Sequence, residues 1–210
     1  MSGLFISFEG LDGSGKSTQL QLLEDRLRAE GIAYCLNREP GGDAIGQQIR
    51  QLILDPAHTQ MSPVAELLLY FANRAQNVDA QIRPALERGE LVISDRFTDS
   101  TMAYQGAGRG LGTDAVAALH QIACRGTEPE ITIYLRVPLE TALARRQGQV
   151  DDRLEAEPPR FHRAVFETYE QLALTFPHRI WPVDGTQPPL LVHEQIWSKI
   201  AALLEERRGV

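Results

Sequence analysis

Short runs of β-branched and aromatic residues alternate along this chain with longer stretches whose apolar positions recur every three or four residues. That rhythm predicts an α/β architecture, a parallel sheet covered by helices on both faces. Five strands are expected: Leu4 to Phe8, Ala33 to Asn37, Leu91 to Asp95, Ile131 to Arg136 and Ile180 to Asp184. Lys16 to Glu30 carries Leu20, Leu23 and Leu27 on one helical face and stops at Gly31, which suits a left-handed cap. Further helices are expected over Ala44 to Leu54, Pro63 to Arg88, Thr113 to Cys124, Leu139 to Arg146, Pro159 to Thr175 and Leu190 to Glu206. Gln105 to Gly112, with four glycines, and Gln147 to Pro159, ending in Pro158-Pro159, read as ligand-facing loops.

Composition narrows this picture. A chain of 210 residues can bury one full core and is too short for two ordinary domains, so a single domain over 1–210 is expected. Its formal net charge of −7 argues against binding a nucleic-acid polymer through a basic surface. Uninterrupted apolar stretches fall far short of the ~20 residues that cross a bilayer. The N-terminus has no basic stretch leading into a long apolar core, so a cytoplasmic protein without membrane contact is expected. Cys35 and Cys124 stand apart with no second pair at metal-ligand spacing. Of the 21 basic residues only Lys16 and Lys199 are lysine. A compact ammonium and a planar guanidinium are not interchangeable around phosphate, so the lysine at 16 carries information.

Lys16 closes the string Gly10-Leu11-Asp12-Gly13-Ser14-Gly15-Lys16-Ser17, which has the form G-x-x-x-x-G-K-[ST] between an apolar strand and an amphipathic helix. The glycines let backbone N–H groups turn toward phosphates, with the positive end of the helix dipole behind them. Lys16 would bridge the β- and γ-phosphate oxygens of ATP, and the Ser17 hydroxyl would meet Mg²⁺, a hard cation that takes oxygen ligands. GTPases, motor ATPases and sulfotransferases share such a cradle, so the acceptor side has to decide. No Asn-Lys-x-Asp guanine-reading motif is present.

Arginines supply the acceptor side. Leu91 to Asp95 ends in Asp95-Arg96 at the sheet edge where ligands bind in doubly wound folds. There Asp95 can orient Mg²⁺ through water and Arg96 can fork onto a second phosphate. Arg38 follows another strand and Arg50 lies on the next helix, and taken singly either is an ordinary solvated arginine. Tyr70 and Arg74, four apart on a helix, face the same way. An aromatic plane beside a guanidinium suits a nucleobase.

Four segments in their usual order resemble bacterial thymidylate kinases: Phe8 to Thr18, Arg38-Glu39-Pro40-Gly41-Gly42, Asp95-Arg96-Phe97 and Ala103-Tyr104-Gln105-Gly106. The resemblance runs essentially end to end. It implies a P-loop kinase that phosphorylates dTMP to dTDP with ATP and Mg²⁺, in dTTP biosynthesis. It further implies Arg74 at the thymine carbonyl with Tyr70 stacking, Arg50 and Arg96 at the dTMP phosphate, Thr101 and Gln105 near the base, Tyr104 against the sugar and Asp12 near the 3′-hydroxyl. Such proteins commonly dimerise, so a homodimer is a possible partner state. The resemblance also makes residues 145–158 a lid. Leu11, Asp12 and Ser14 include no arginine, and the resemblance to members of that kind implies that a lid arginine meets the transferring phosphoryl group, with Arg153 the first choice beside Arg145 and Arg146. A cation arriving on closure favours the transition state and excludes water. A kinase for another nucleoside monophosphate, or a non-catalytic ATP-binding module, would share the cradle.

Overall fold

Five parallel strands form the centre of the fold: β1 (Leu4–Glu9), β2 (Tyr34–Arg38), β3 (Leu91–Asp95), β4 (Ile131–Arg136) and β5 (Ile180–Asp184), in the order β2-β3-β1-β4-β5. The computed structural model describes residues 3–148 and 150–209. Residue Gln149, in the expected lid, lies outside them. Every β1 residue is buried, because a strand covered on both faces has no solvent side. Its side chains divide with the two-residue period of a strand. Leu4, Ile6 and Phe8 meet α1 (Lys16–Ala29) through Leu20, Leu23 and Leu27, together with Val192, Ile196 and Ile200 of the final helix. Phe5 faces the opposite layer.

That layer is built by α2 (Ala44–Leu54), α3 (Pro63–Asn77), a π-helical turn over Val78–Ile82, α4 (Arg83–Glu87), α5 (Thr98–Thr101), a second π-helical segment over Met102–Gly108, and α6 (Thr113–Cys124). The remaining helices are α7 (Leu139–Arg146), α8 (Pro159–Thr175) and α9 (Pro189–Arg208). No helix among the described residues is long and apolar enough to cross a membrane.

Two expected elements differ. The single helix expected over Pro63 to Arg88 is divided by the π-helical turn just ahead of Pro84. Proline has no N–H to give the preceding turn, and a widened turn accommodates the broken ladder. The first part of the glycine-rich stretch Gln105 to Gly112 is helical rather than looped. A Cβ at Gly108 would lie 2.5 Å from the Phe161 ring, so this glycine admits α8 at close range instead of making a turn.

Register brings the chemistry to one edge. Phe8 pairs with Asp95 and Asp95 with Arg38. Glu9, Arg38 and Asp95 therefore end neighbouring strands at the carboxyl side of the sheet, where ligands enter open α/β folds.

Candidate active site

The loop after β1 turns on glycines that no other residue could replace without strain. Gly10 has φ 135° and a Cβ there would lie 2.7 Å from the Leu135 carbonyl oxygen. Gly13 has φ 85°, and its Cβ would lie 2.3 Å from the Ala142 oxygen. Gly15 caps α1 in the left-handed conformation. Lys16 Nζ reaches back over the loop and donates to the Gly10 and Leu11 carbonyls, each at 2.9 Å. Ser14 Oγ is buried with no hydrogen-bond partner. An orphaned donor, a buried ammonium and inward-turned glycines are the surroundings a phosphate chain requires, so the residues fit ATP. Ser17 and Thr18 stand exposed at the start of α1. No cluster of three or more His, Cys, Asp or Glu able to hold a metal occurs among the described residues. A magnesium ion at Ser17 would therefore draw most ligands from phosphate and water, its ordinary habit.

Beneath the loop lies a charged network. Arg96, with φ 72°, directs Nη2 to Asp12 Oδ1 at 2.6 Å and Nη1 to the Gly10 carbonyl and Ser100 Oγ, both at 3.1 Å. Its guanidinium carbon stands 5.0 Å from the Tyr104 ring centroid, and the Tyr104 hydroxyl donates to Asp12 Oδ2 at 3.1 Å. Burial alone would raise the Asp12 carboxyl, but the Arg96 and Lys16 charges outweigh it and hold Asp12 well below the carboxylate range. Burial and the Arg96 charge push the Lys16 ammonium down to about 8, against the pull of Asp12, Asp95 and Glu9.

Glu9 is the network's floor. Its carboxylate accepts from the Phe97 N–H at 2.7 Å, Ser100 Oγ at 2.5 Å and the Tyr169 hydroxyl at 2.8 Å. Burial, then the nearby Asp99 charge, raises its pKa to about 7, although Ser100, Arg96 and the Phe97 N–H oppose this. A carboxyl raised in the folded state binds more protons there than in the unfolded chain. Its contribution is therefore most favourable below pH ~4.5 and declines as pH rises toward 7. Glu9→Gln, by removing that titration, is expected to make the unfolding free energy fall less steeply over this window than in the wild type, by up to ~1.4 kcal/mol per pH unit. Denaturant melts across the window check this, and equal slopes would exclude it.

Above the network opens one cleft of about 880 Å³. Its wall includes Asp12 to Thr18, Arg38, Arg50, Tyr70, Asp95, Arg96, Tyr104, Gln105, Arg145 and Arg146, so most residues singled out in the sequence meet in one space. Arg38 Nε lies 3.2 Å from Asp95 Oδ2, and Arg50 Nη1 donates to the Pro40 carbonyl at 2.6 Å. Arg145 donates to the Gly185 carbonyl at 3.1 Å, and Arg146 pairs with Asp151 at 2.6 Å and Glu155 at 3.0 Å.

Five expected site residues are outside the cleft lining: Gly10 and Leu11, whose carbonyls accept from Lys16, and three more that stand deeper. Arg74 is buried between the Phe71 and Phe97 rings, with Nε on Glu39 Oε2 at 2.7 Å and Nη1 3.4 Å from Thr98 Oγ1. Thr101 is buried with its hydroxyl unpartnered. Arg153 is fastened to the Ile53 carbonyl at 2.7 Å and Glu66 at 2.7 Å, outside the cleft lining. Sequence reasoning passed over Glu39, Leu54, Ser100, Asp152, Leu154 and Glu155, which line the cleft, and Glu66 behind it. Glu39 stood inside a quoted motif and could have been singled out. Asp152, Leu154 and Glu155 lie inside the expected lid without being named singly, and Leu54, Ser100 and Glu66 carry no local signal, because only the fold brings them there.

The comparisons with known proteins agree with this geometry. Residues 8–196 match the profile of the thymidylate kinase family. The thymidylate kinase of Caldanaerobacter subterraneus is 45% identical over 205 residues, covering 98% of each chain. That of Pseudomonas fluorescens is 45% identical over the full length of both. That of Alkalilimnicola ehrlichii is 47% identical over 89% of this chain and 87% of its own. With a phosphate loop and an arginine-lined acceptor side in one cleft, and with matches of this extent, the chain belongs to the thymidylate kinase family.

Proposed function

We propose that the cleft carries the γ-phosphoryl group of ATP to dTMP, giving ADP and dTDP. The observation that carries this reading is one continuous cavity lined both by the phosphate loop and by Arg38, Arg50, Arg96 and Tyr70. ATP lies along Gly10 to Thr18 with its phosphates under Lys16, and Arg145 and Arg146 face it from α7. The dTMP phosphate meets Arg50 and Arg96, its sugar lies against Tyr104 and Asp12, and its base lies against Tyr70 and Gln105.

No strong general base is required, because the attacking phosphate oxygen is already anionic near neutral pH. The protein's work is to align two anions that repel each other and to spread cations over the charge that develops. Asp12 pairs with Arg96, and Lys16 and Arg96 both line the cleft where those charges would meet. The Ser17 hydroxyl would hold Mg²⁺ directly and Asp95 would do so through water, and the ion would supply further neutralisation of the phosphate charge. Arg153 would reach the transferring group only by leaving Glu66 as the lid moves, whereas Arg146 already faces the cleft. Arg74 and Thr101 shape the base pocket from the layer behind.

A cytoplasmic homodimer belongs to the same reading. Ile45, Leu52, Val64 and Leu68 are exposed on α2 and α3, an apolar surface a second copy would cover, and sedimentation at a monomer's mass would exclude it.

A coupled assay of ADP release with ATP, Mg²⁺ and a panel of nucleoside monophosphates tests the function. The expected result is rapid release with dTMP and slow release with guanylate and cytidylate. ATP binding without dTMP-dependent ADP release would overturn it in favour of a non-catalytic module.

A further inference from the structure

Glu66 is fully buried in the first turn of α3, behind the cleft. Its Oε1 accepts from Gln105 Nε2 at 2.8 Å and from Arg109 Nε at 3.1 Å. Its Oε2 accepts from Arg109 Nη2 at 2.9 Å and lies 2.7 Å from Arg153 Nη2. Two arginines therefore pair with a carboxylate whose burial alone would be costly. Gln105 is itself buried, yet lines the cleft.

An ionised carboxylate only accepts hydrogen bonds. Whatever else the Gln105 amide does, its nitrogen must be the end turned to Glu66. The carbonyl oxygen is then the end available to a ligand. We infer that Glu66 is a positioning residue that fixes the polarity of the Gln105 amide, so that the cleft meets the ring-nitrogen edge of the acceptor base with an acceptor and not a donor. This rests on the proposed function, which places a pyrimidine against Gln105. An imide base such as thymine or uracil offers N3–H to that oxygen. Cytosine presents a bare N3 lone pair there, which the oxygen repels. Free to rotate, the same amide would suit either base; Glu66 removes the choice. A polar site built for one hydrogen-bonding pattern rejects the opposite pattern far better than it rejects a missing methyl group.

Glu66→Gln provides the test. Arg109 and Arg153 require an acceptor and will hold the new carbonyl oxygen where Oε2 stood, which turns the new amide nitrogen toward Gln105. Gln105 then has to present its own oxygen to residue 66 and its NH₂ to the cleft. Steady-state kinetics with ATP and Mg²⁺ are compared for dTMP, dUMP and dCMP. The expected result is a fall in kcat/KM of at least about tenfold for dTMP. It is carried mainly by KM, with dUMP falling in step and dCMP unchanged or improved. The KM for ATP should stay within about twofold. Equal loss for all three acceptors, or loss for dTMP alone, would overturn the inference. Should Glu66→Gln fail to fold, Glu66→Asp keeps the charge the arginines need but withdraws it from Gln105. It is read by the same ratio, with the dTMP preference over dCMP expected to narrow and an unchanged ratio counting against. Wild-type protein that does not phosphorylate dTMP would defeat the proposed function instead, which keeps the two failures distinct.

Discussion

Lys16→Ala is expected to lower kcat for dTMP phosphorylation on the order of 10³-fold while leaving the fold in place. Among the described residues Lys16 Nζ makes no ion pair that holds elements together; it donates to two carbonyls of its own loop. Alanine removes those bonds and leaves the Gly10 and Leu11 carbonyls at a cleft that water can enter, so the melting temperature should move by only a few degrees. What is lost is the cation that the proposed reading places between the two substrates. The ammonium is buried against two loop carbonyls, so it binds phosphate oxygen without first shedding a full water shell, and burial and the Arg96 charge push it down to about 8. A phosphate chain alongside would favour its charged form. Lys16→Arg should rescue little, because a planar fork does not fit a space that holds a compact ammonium among backbone carbonyls. The check is kcat with saturating ATP and dTMP alongside a thermal melt. Turnover within tenfold of wild type in Lys16→Ala would remove Lys16 from the phosphoryl-transfer path, and an unfolded variant would show Nζ to be a structural tie.

The contrast between legible and hidden features follows from how far apart the partners lie. The phosphate loop could be read because its requirements, glycines, a lysine and a hydroxyl, fall within eight consecutive residues between a strand and a helix. Three strands were placed to the residue, β3, β4 and β5, because their apolar runs are bounded by charged residues or turn formers. Strand β2 starts at Tyr34, one residue later than expected, since its mixed sequence gives no sharp edge. The positions of Arg74 and Arg153 could not be read in this way. Each is set by one buried carboxylate, Glu39 or Glu66, that lies 35 or more residues away in the chain. A surface arginine and an arginine sealed against a buried acid have the same local sequence. Burial is a property of the assembled fold, and so is the reach of a long side chain into a cleft or away from it. The π-helical segment Met102–Gly108 was hidden for the opposite reason. Its glycines carry a strong local turn signal, which tertiary packing against Phe161 overrides.

Arg96→Ala is expected to reduce kcat/KM for dTMP by about 10³-fold or more while changing the KM for ATP only a few-fold. The size of the effect comes from two losses at once. Arg96 is the cation beside Asp12, and its Nη1 ties Ser100 and the Gly10 carbonyl into the floor of the loop. On the proposed reading, removing it takes a charge from the acceptor phosphate, and among the described residues it leaves Asp12 with the Tyr104 hydroxyl and the more distant Lys16 as counterparts. Burial then raises the Asp12 carboxyl, which lessens the cost but also dissolves the arrangement that held Tyr104 in place. Backbone strain supplies a control. Arg96 has φ 72°, a conformation glycine adopts freely and alanine does not, so Arg96→Gly should be more stable than Arg96→Ala by up to ~1–2 kcal/mol. Both variants lack the guanidinium and should lose activity equally. Stability and turnover therefore separate: if the loss were due to a weakened fold, glycine would recover much of it. Arg96→Lys keeps a positive charge yet cannot fork between Asp12, Ser100 and the Gly10 carbonyl, and it should regain less than about tenfold of the lost kcat/KM. Kinetics and melts of the three variants together decide the matter. A lysine variant close to wild type would mean that charge alone suffices at this position, and a glycine variant well above the alanine one would mean that Arg96 acts through the backbone.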